Sequence, residues 1–153
     1  MLITNDIQLR MILEGAITRA LHNVIQRVFQ ELQHSIETDI YNSYSPEDYE
    51  RTYALLEAWE SKTMTMMSEL NFKPEWLPIN PTSHQHGSVS HSGYTDIRQI
   101  IFDILEQGYG AYNYHTGKPI PARPMWDNFI AKVDKKIDAW IRKALREQGM
   151  MVI

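Results

Sequence analysis

Histidines are the residues that most directly suggest chemistry in this chain. His84, His86 and His91 lie in one short polar segment, and His115 follows in a later loop. Neutral imidazoles bind zinc, and two histidines separated by one residue point to the same side of a strand. The segment is rich in serine and glycine and contains no carboxylate to complete a ligand set, which favours a solvated loop. We therefore predict that the protein binds no metal and no cofactor.

Other catalytic arrangements are missing from the sequence. The chain has no cysteine, which excludes thiolate catalysis and cysteine-bound zinc. It contains no nucleophile elbow, phosphate-binding loop, zinc-protease box or dinucleotide fingerprint. Asp103 and Glu106 are three residues apart on a predicted helix, a spacing that is ordinary on a solvated helix surface. We expect that the protein is not an enzyme; a small hydrolase or nuclease that uses the histidine segment is the alternative.

The charge of the chain bears on nucleic-acid binding. A net charge of −4 argues against a protein whose main task is neutralising phosphates. One predicted helix face near the C-terminus is nevertheless basic, and acidic residues of the same helix dilute its charge. We expect a solvated face, with contact to DNA, or a DNA-binding accessory protein, as the alternative. The basic residues are Lys132, Lys135, Lys136, Arg142, Lys143 and Arg146, and the acidic ones are Asp134, Asp138 and Glu147.

The length and the hydrophobic content indicate a single domain spanning residues 1–153 with one ordinary core. A chain of 153 residues, 43% of them hydrophobic, buries enough surface to fold without disulfides. The N-terminus lacks the basic and apolar regions of a signal peptide. No run of about 18 apolar residues occurs, so we predict no contact with a membrane and synthesis in the cytoplasm.

The first predicted element is one long helix from residue 5 or 6 to residue 41. Its apolar residues recur at the three-to-four spacing of a single buried stripe, and Asn5 or Asp6 can cap its start. At about 1.5 Å per residue it could reach roughly 50 Å, so part of it is expected to contact another subunit. The stripe consists of Ile7, Leu9, Ile12, Leu13, Ile17, Leu21, Val24, Ile25, Val28, Leu32, Ile36 and Ile40.

The second predicted element is a β-hairpin within residues 53–77. Its first strand would contain Leu55, Leu56, Ala58 and Trp59, and its second would lie in residues 63–66 or 68–76. Residues 55–60 could equally form a helix, because alanine, leucine and glutamate are good helix formers.

The remaining chain is predicted to contain two helices separated by loops. The first of them begins near Thr95 and ends at Gly108, after a loop over residues 78–93 that could include a short strand at 87–89. The last helix begins near Pro124 and ends at Gly149, and residues 150–153 could add an edge strand. The fold class is therefore α+β: a long N-terminal helix, an antiparallel hairpin or small sheet, and two further helices packed on one face.

Three stretches of the sequence resemble a known family. They are Tyr44-Ser45-Pro46-Glu47-Asp48-Tyr49-Glu50-Arg51-Thr52 with Leu55-Leu56-Glu57-Ala58-Trp59, the glycine-closed segment 96–108, and Ala122-Arg123-Pro124-Met125-Trp126. In this order they look like the minor tail or tail-completion (head–tail joining) proteins of tailed bacteriophages and prophages. The family has a Tyr-x-Arg-Thr box before the first strand and an Arg-Pro-aromatic step before the last helix. The resemblance covers about residues 1–149.

The resemblance implies a structural virion protein with no catalytic residues. Such subunits form homo-oligomeric rings, commonly of six copies, at the head–tail connector, the neck or the upper tail. The implied partners are neighbouring connector or adaptor proteins and tail-tube or tail-terminator proteins, with DNA passing through the lumen. The implied location is the virion, and the host cytoplasm during assembly. A tail terminator protein is the alternative, since it shares this size and composition.

The motifs that carry the resemblance also supply candidate interface residues. Arginine donates several hydrogen bonds at once, tyrosine and tryptophan combine contact area with a polar group, and these types are enriched at interfaces. Bracing and packing within one subunit is the alternative role for them. The same two roles are possible for two tyrosine-rich strips. The first contains Tyr41, Tyr44, Tyr49 and Tyr53, and the second contains Tyr109, Tyr112 and Tyr114. The candidate interface residues are Tyr44, Tyr49, Arg51, Thr52, Trp59, Arg123, Pro124 and Trp126.

Overall fold

The computed structural model of the chain describes residues 5–43, 53–78, 108 and 121–152. A long N-terminal helix, a two-stranded antiparallel sheet and two further helices make up most of this part, which confirms the predicted α+β class. In chain order the elements are helix α1 (Asp6–Ser35), a π-helix (Ile36–Tyr41), helix α2 (Ala54–Glu57), strand β1 (Trp59–Met64), strand β2 (Met67–Phe72), a 3-10 helix (Pro74–Trp76), helix α3 (Met125–Asp134) and helix α4 (Ile137–Glu147).

Helix α1 has the predicted start, and helical structure reaches the predicted end through the π-helix that follows it. The side-chain oxygen of Asn5 accepts a hydrogen bond from the Gln8 N–H at 2.8 Å, which satisfies one of the unpaired donors of the first turn. Helical structure continues to Tyr41, with the last six residues wound as a π-helix. The Thr38 hydroxyl donates to the His34 carbonyl at the junction of the two helical forms.

The hairpin forms, but it begins later than predicted. Leu55 and Leu56 lie in helix α2, and Ala58 follows its end, so the strand prediction was wrong for these residues. The helical alternative for residues 55–60 is confirmed only as far as Glu57, because Trp59 and Glu60 are in β1. Leu70 and Phe72 are in β2 as expected, whereas Trp76 lies in the 3-10 helix. Alanine, leucine and glutamate favour the helix locally, and Pro74 cannot continue the hydrogen-bonded ladder of a strand.

The last predicted helix is divided into α3 and α4 by a turn at Lys135 and Lys136. Neither residue breaks helices by itself, so the sequence has no local signal for the turn. The Lys136 ammonium lies 2.9 Å from a Glu31 carboxylate oxygen and 5.9 Å from the centre of the Trp140 ring. One side chain at the turn thus makes both an ion pair and a cation–π contact.

The chain divides into two compact units. The first contains the described residues of Met1–Gln33, Trp59–Asn71 and Phe129–Ile153, and the second contains those of His34–Ala58 and Phe72–Asn128. The single domain over residues 1–153 stays a prediction.

In the first unit, α1 and α4 pack in opposite directions. Glu31 of α1 meets Lys136 at the start of α4, and Arg19 donates to the Gln148 side chain beyond its end at 2.8 Å. Ala20 and Val24 of α1 and Ala144 of α4 are buried between them, and larger apolar side chains pack around this centre. Alanine on both helices lets the backbones approach closely.

The hairpin lies along α1 in the same unit. Gln26 donates to the Ser61 hydroxyl at 3.2 Å, and the Met66 N–H donates to the Thr18 hydroxyl oxygen at 3.3 Å. Met66 has a φ of 57°, a left-handed conformation that is uncommon for a residue other than glycine. The Thr18 contact therefore holds the hairpin turn in place against the helix.

In the second unit, the π-helix contacts α2 and the start of α3. The Tyr41 hydroxyl oxygen accepts a hydrogen bond from the Leu55 N–H at 3.2 Å, and Asn128 donates to an Asp39 carboxylate oxygen at the same distance. These contacts connect three segments that are far apart in the sequence.

Gly149 ends α4 as predicted. Its φ is 79°, and the following Met150 N–H donates to the Leu145 carbonyl at 3.1 Å, which is the Schellman arrangement. Residues 150–152 form no strand, so the suggested edge strand is not present there. Met150 instead folds back beside Leu145, because the cap reverses the chain.

Some predicted features lie outside the described residues: the strand at 87–89, the helix from Thr95, the loop at 109–120 and all four histidines of the polar loops. Gly108 is described, and its φ of 75° is the left-handed conformation expected of a residue that follows a helix.

Replacing Gly149 with alanine tests the helix cap. A Cβ at this position would meet no atom within 4 Å, so the cost is conformational and not steric. We expect Gly149→Ala to lower the free energy of unfolding by about 1 kcal/mol, because alanine disfavours positive φ. Gly149→Asn, which adopts this conformation more readily, should lose less. Urea denaturation measures the stability of both variants. If both were as stable as the unchanged protein, the left-handed conformation of Gly149 would not contribute to the helix cap.

Candidate assembly surface

The predicted interface residues are in different environments. Trp59 begins β1 and is buried, so its ring takes part in packing within the chain. Arg123 and Trp126 are half-buried, and Pro124 is exposed. Tyr44, Tyr49, Arg51 and Thr52 lie outside the described residues. The interface role of all eight residues stays a prediction.

The Arg-Pro-aromatic step opens helix α3. The Arg123 carbonyl accepts from the Met125 N–H at 2.6 Å, and the Pro124 carbonyl accepts from the Asn128 N–H at 3.1 Å. Proline has no N–H to leave unpaired and has a helical φ, so it suits this position. The step therefore has a local structural role whether or not it also contacts another subunit.

The first tyrosine strip contains an intrachain pair. The rings of Tyr41 and Tyr53 have centroids 4.7 Å apart at an angle of 53°. Tyr41 is buried, while Tyr53 is 49% exposed and has a φ of 54°. Packing within the subunit thus accounts for Tyr41, and the exposed face of Tyr53 is left open to solvent.

Removing the Tyr41 hydroxyl should destabilise the second unit. Tyr41→Phe removes the acceptor of the Leu55 N–H in a buried place, which costs about 1–2 kcal/mol. Tyr53→Phe removes an exposed hydroxyl and should change stability by less than about 0.5 kcal/mol. Urea denaturation of both variants checks this, and a Tyr53→Phe loss as large as that of Tyr41→Phe would contradict it.

A cluster of five exposed large apolar side chains lies at the start of α1. Residues 5–13, here named the N-terminal arm, precede Ala16, the first buried residue of the helix. The sequence pattern placed all of these side chains except Met11 on the buried stripe, and within this chain that expectation was wrong. Ile7 is 71% and Met11 68% exposed, and Leu9, Ile12 and Leu13 are each about 40% exposed. Among the described residues, the buried positions of α1 begin only after the arm.

The apolar residues of the arm lie on two faces of the helix, with Asp6, Gln8 and Arg10 between the faces. Successive residues of an α-helix are rotated by roughly 100°, so Ile7, Leu9, Met11, Ile12 and Leu13 cannot share one stripe. A surface helix of a globular protein normally has a single apolar stripe. This distribution was visible in the sequence and is the signal that could have separated the arm from the rest of α1.

The arm contains one acidic residue, Asp6, and one basic residue, Arg10. The Arg10 guanidinium lies 2.7 Å from a Glu14 carboxylate oxygen. The hydrogen bond to Glu14 and its negative charge raise the pKa of Arg10. Residues 6–14 therefore carry a net charge of −1 through Asp6 in the first turn.

An apolar groove lies between α1 and α4, directly after the arm. Its volume is about 220 Å³, and its walls include Ile17 and Leu21 of α1, Ile141 and Leu145 of α4, and Met150 beyond the helix cap. All of its lining side chains are apolar. The groove is a recess that an apolar side chain could fill and that offers no polar group for catalysis.

Within the described ranges, no three histidine, cysteine, aspartate or glutamate residues approach one another as metal ligands would. Nor does any helix of these ranges have the length and apolar character needed to cross a membrane.

A family comparison places the chain among phage proteins. The model of the YomN family matches residues 5–147, nearly the whole chain. No curated protein and no solved structure gives a significant match. The protein belongs to the YomN family, a family associated with phages and prophages and named after a gene of a Bacillus prophage.

Proposed function

We propose that this protein is a non-enzymatic structural subunit of a tailed phage or prophage particle that associates with its own copies in a ring. The phage association of the family supports the setting. The resemblance of the Tyr-x-Arg-Thr and Arg-Pro-aromatic motifs to tail-completion proteins supports a position at the head–tail connector or upper tail.

The main support for this proposal is the exposed N-terminal arm. Five large apolar side chains on one helix end are unfavourable in water, by about 25 cal/mol for each Å² of apolar area that a partner could bury. An apolar patch on a small protein marks a contact surface. Assembly into a particle is the setting that would bury it.

The basic face of α3 and α4 gives less support to a main role in DNA binding. Lys136 pairs with Glu31, Lys143 lies 4.0 Å from Glu147, and Arg146 donates to the Val152 carbonyl. At least five of its six basic residues, Lys132 and Arg142 included, thus interact within the chain. This does not conflict with DNA passing through the lumen of the ring, because DNA that only passes through need not be bound tightly by this face.

Deletion of the gene from an inducible prophage tests the function. We expect induced cells to yield heads and tails that fail to join, seen by negative-stain electron microscopy. Tails of abnormal length would instead favour the tail-terminator role. Normal, infectious particles without the gene would contradict the proposal.

Complementation tests the part played by the arm. A copy with Ile7→Glu and Met11→Glu should fail to restore infectious particles, because the arm would then be charged. A matched copy with His22→Glu and Asn23→Glu adds the same charge at exposed polar positions of the same helix and should restore them. Equal rescue by both copies would show that the apolar side chains of the arm are not needed for assembly. Circular dichroism checks that both variants fold.

A further inference from the structure

We propose that the N-terminal arm of one copy docks in the apolar groove of a second copy of this chain. The arm supplies projecting apolar side chains, and the groove between α1 and α4 supplies the recess. The inference deepens the proposed function, because it names the two surfaces through which copies join.

The geometry of α1 excludes docking within one copy. Ile17 and Leu21, which line the groove, belong to the same uninterrupted helix as the arm. Leu13 is only four residues from Ile17, about 6 Å along the axis. A continuous α-helix cannot fold back on itself over that distance. The arm can therefore fill only the groove of another molecule.

The chemistry of the two surfaces matches. The groove is lined by apolar side chains alone, so burial of a polar segment there would leave its hydrogen-bonding groups unsatisfied. Beyond its first turn a helix satisfies its own backbone groups, and the arm presents apolar side chains on two faces, one with Ile7 and Met11 and one with Leu9, Ile12 and Leu13. The arm is thus the kind of segment that such a groove accepts.

The charges beside the two surfaces are of opposite sign. Arg10 of the arm is paired with Glu14, one residue beyond it, so residues 6–14 carry a net charge of −1 through Asp6. The part of α4 after the groove residue Ile141 carries Arg142, Lys143 and Arg146 against one acid, Glu147. Attraction between a negative arm and a positive groove edge speeds the encounter of two copies and helps to orient them.

A contact of this kind, between two different surfaces of the chain, can generate a ring. The arm and the groove are different surfaces, so each copy uses one to contact a preceding neighbour and the other to contact a following one. Such head-to-tail contacts generate a closed ring when the rotation between copies closes, and a filament when it does not. A contact between two arms would give only a symmetric dimer.

Engineered cysteines test the contact, and the chain has none of its own. Copies with Met11→Cys are mixed with copies carrying Leu21→Cys or Met150→Cys and are then oxidised. We expect disulfide-linked heterodimers, identified by peptide mass spectrometry. Asn23→Cys, exposed on the same helix, is the matched control and should form no link with Met11→Cys above background. The double variant Met11→Cys/Leu21→Cys should form a ladder of linked copies.

The ladder can only arise between molecules. Positions 11 and 21 are about 15 Å apart along one helix, and a disulfide needs Cα atoms within about 7 Å. The same double variant, placed in the prophage, shows whether the link forms in purified particles.

The outcomes separate this inference from the proposed function. A link between positions 11 and 21 or 150, in solution or in the particle, supports the docking. Links only between two Met11→Cys copies, or none in either setting, overturn it. Detection of the chain in particles without the link rejects the docking and leaves the structural role intact. Linked copies that are missing from every particle reject the structural role and leave the docking intact.

Discussion

The contact between α1 and α4 is the interaction on which the first unit depends. It is an antiparallel packing around Ala20, Val24 and Ala144, with polar contacts of Glu31 and Arg19 towards its two ends. Most stability of a helix in a protein comes from packing of this kind and not from local propensity. The hairpin is then held against the same long helix through Gln26 and Thr18.

This packing also limits how much of α1 is covered. Helix α4 has 11 residues and α1 has 30, so α4 matches only part of the longer helix. The chain reverses at Gly149 before it could reach the first turns of α1. The arm and the groove both follow from this difference in length. The arm is the part of α1 that α4 does not reach, and the groove is a recess beside the end of α4.

The sequence predicts where the helices begin and end better than it predicts which of their residues are buried. Apolar spacing and the caps at Asn5 and Gly149 identified α1 and the end of α4, because both signals are local. The turn at Lys135 and Lys136 has no local signal, because neither residue is a helix breaker, and Lys136 contacts Glu31 more than a hundred residues away. The exposure of the arm was missed for a related reason. A periodic pattern shows which residues could be buried, but not where the partner ends. Of the candidate interface, the Arg123-Pro124 step was placed correctly at the start of a helix, while the exposed residues of the arm had been assigned to the core.

We propose that this protein is a component of the particle and acts there by contact between copies. Quantitative mass spectrometry of purified, DNA-containing particles from the native prophage can detect and count it. We expect several copies of the chain in each particle, in a constant ratio to the connector proteins across preparations. If the chain is absent from such particles but abundant in the cells that made them, the protein is not a component of the particle.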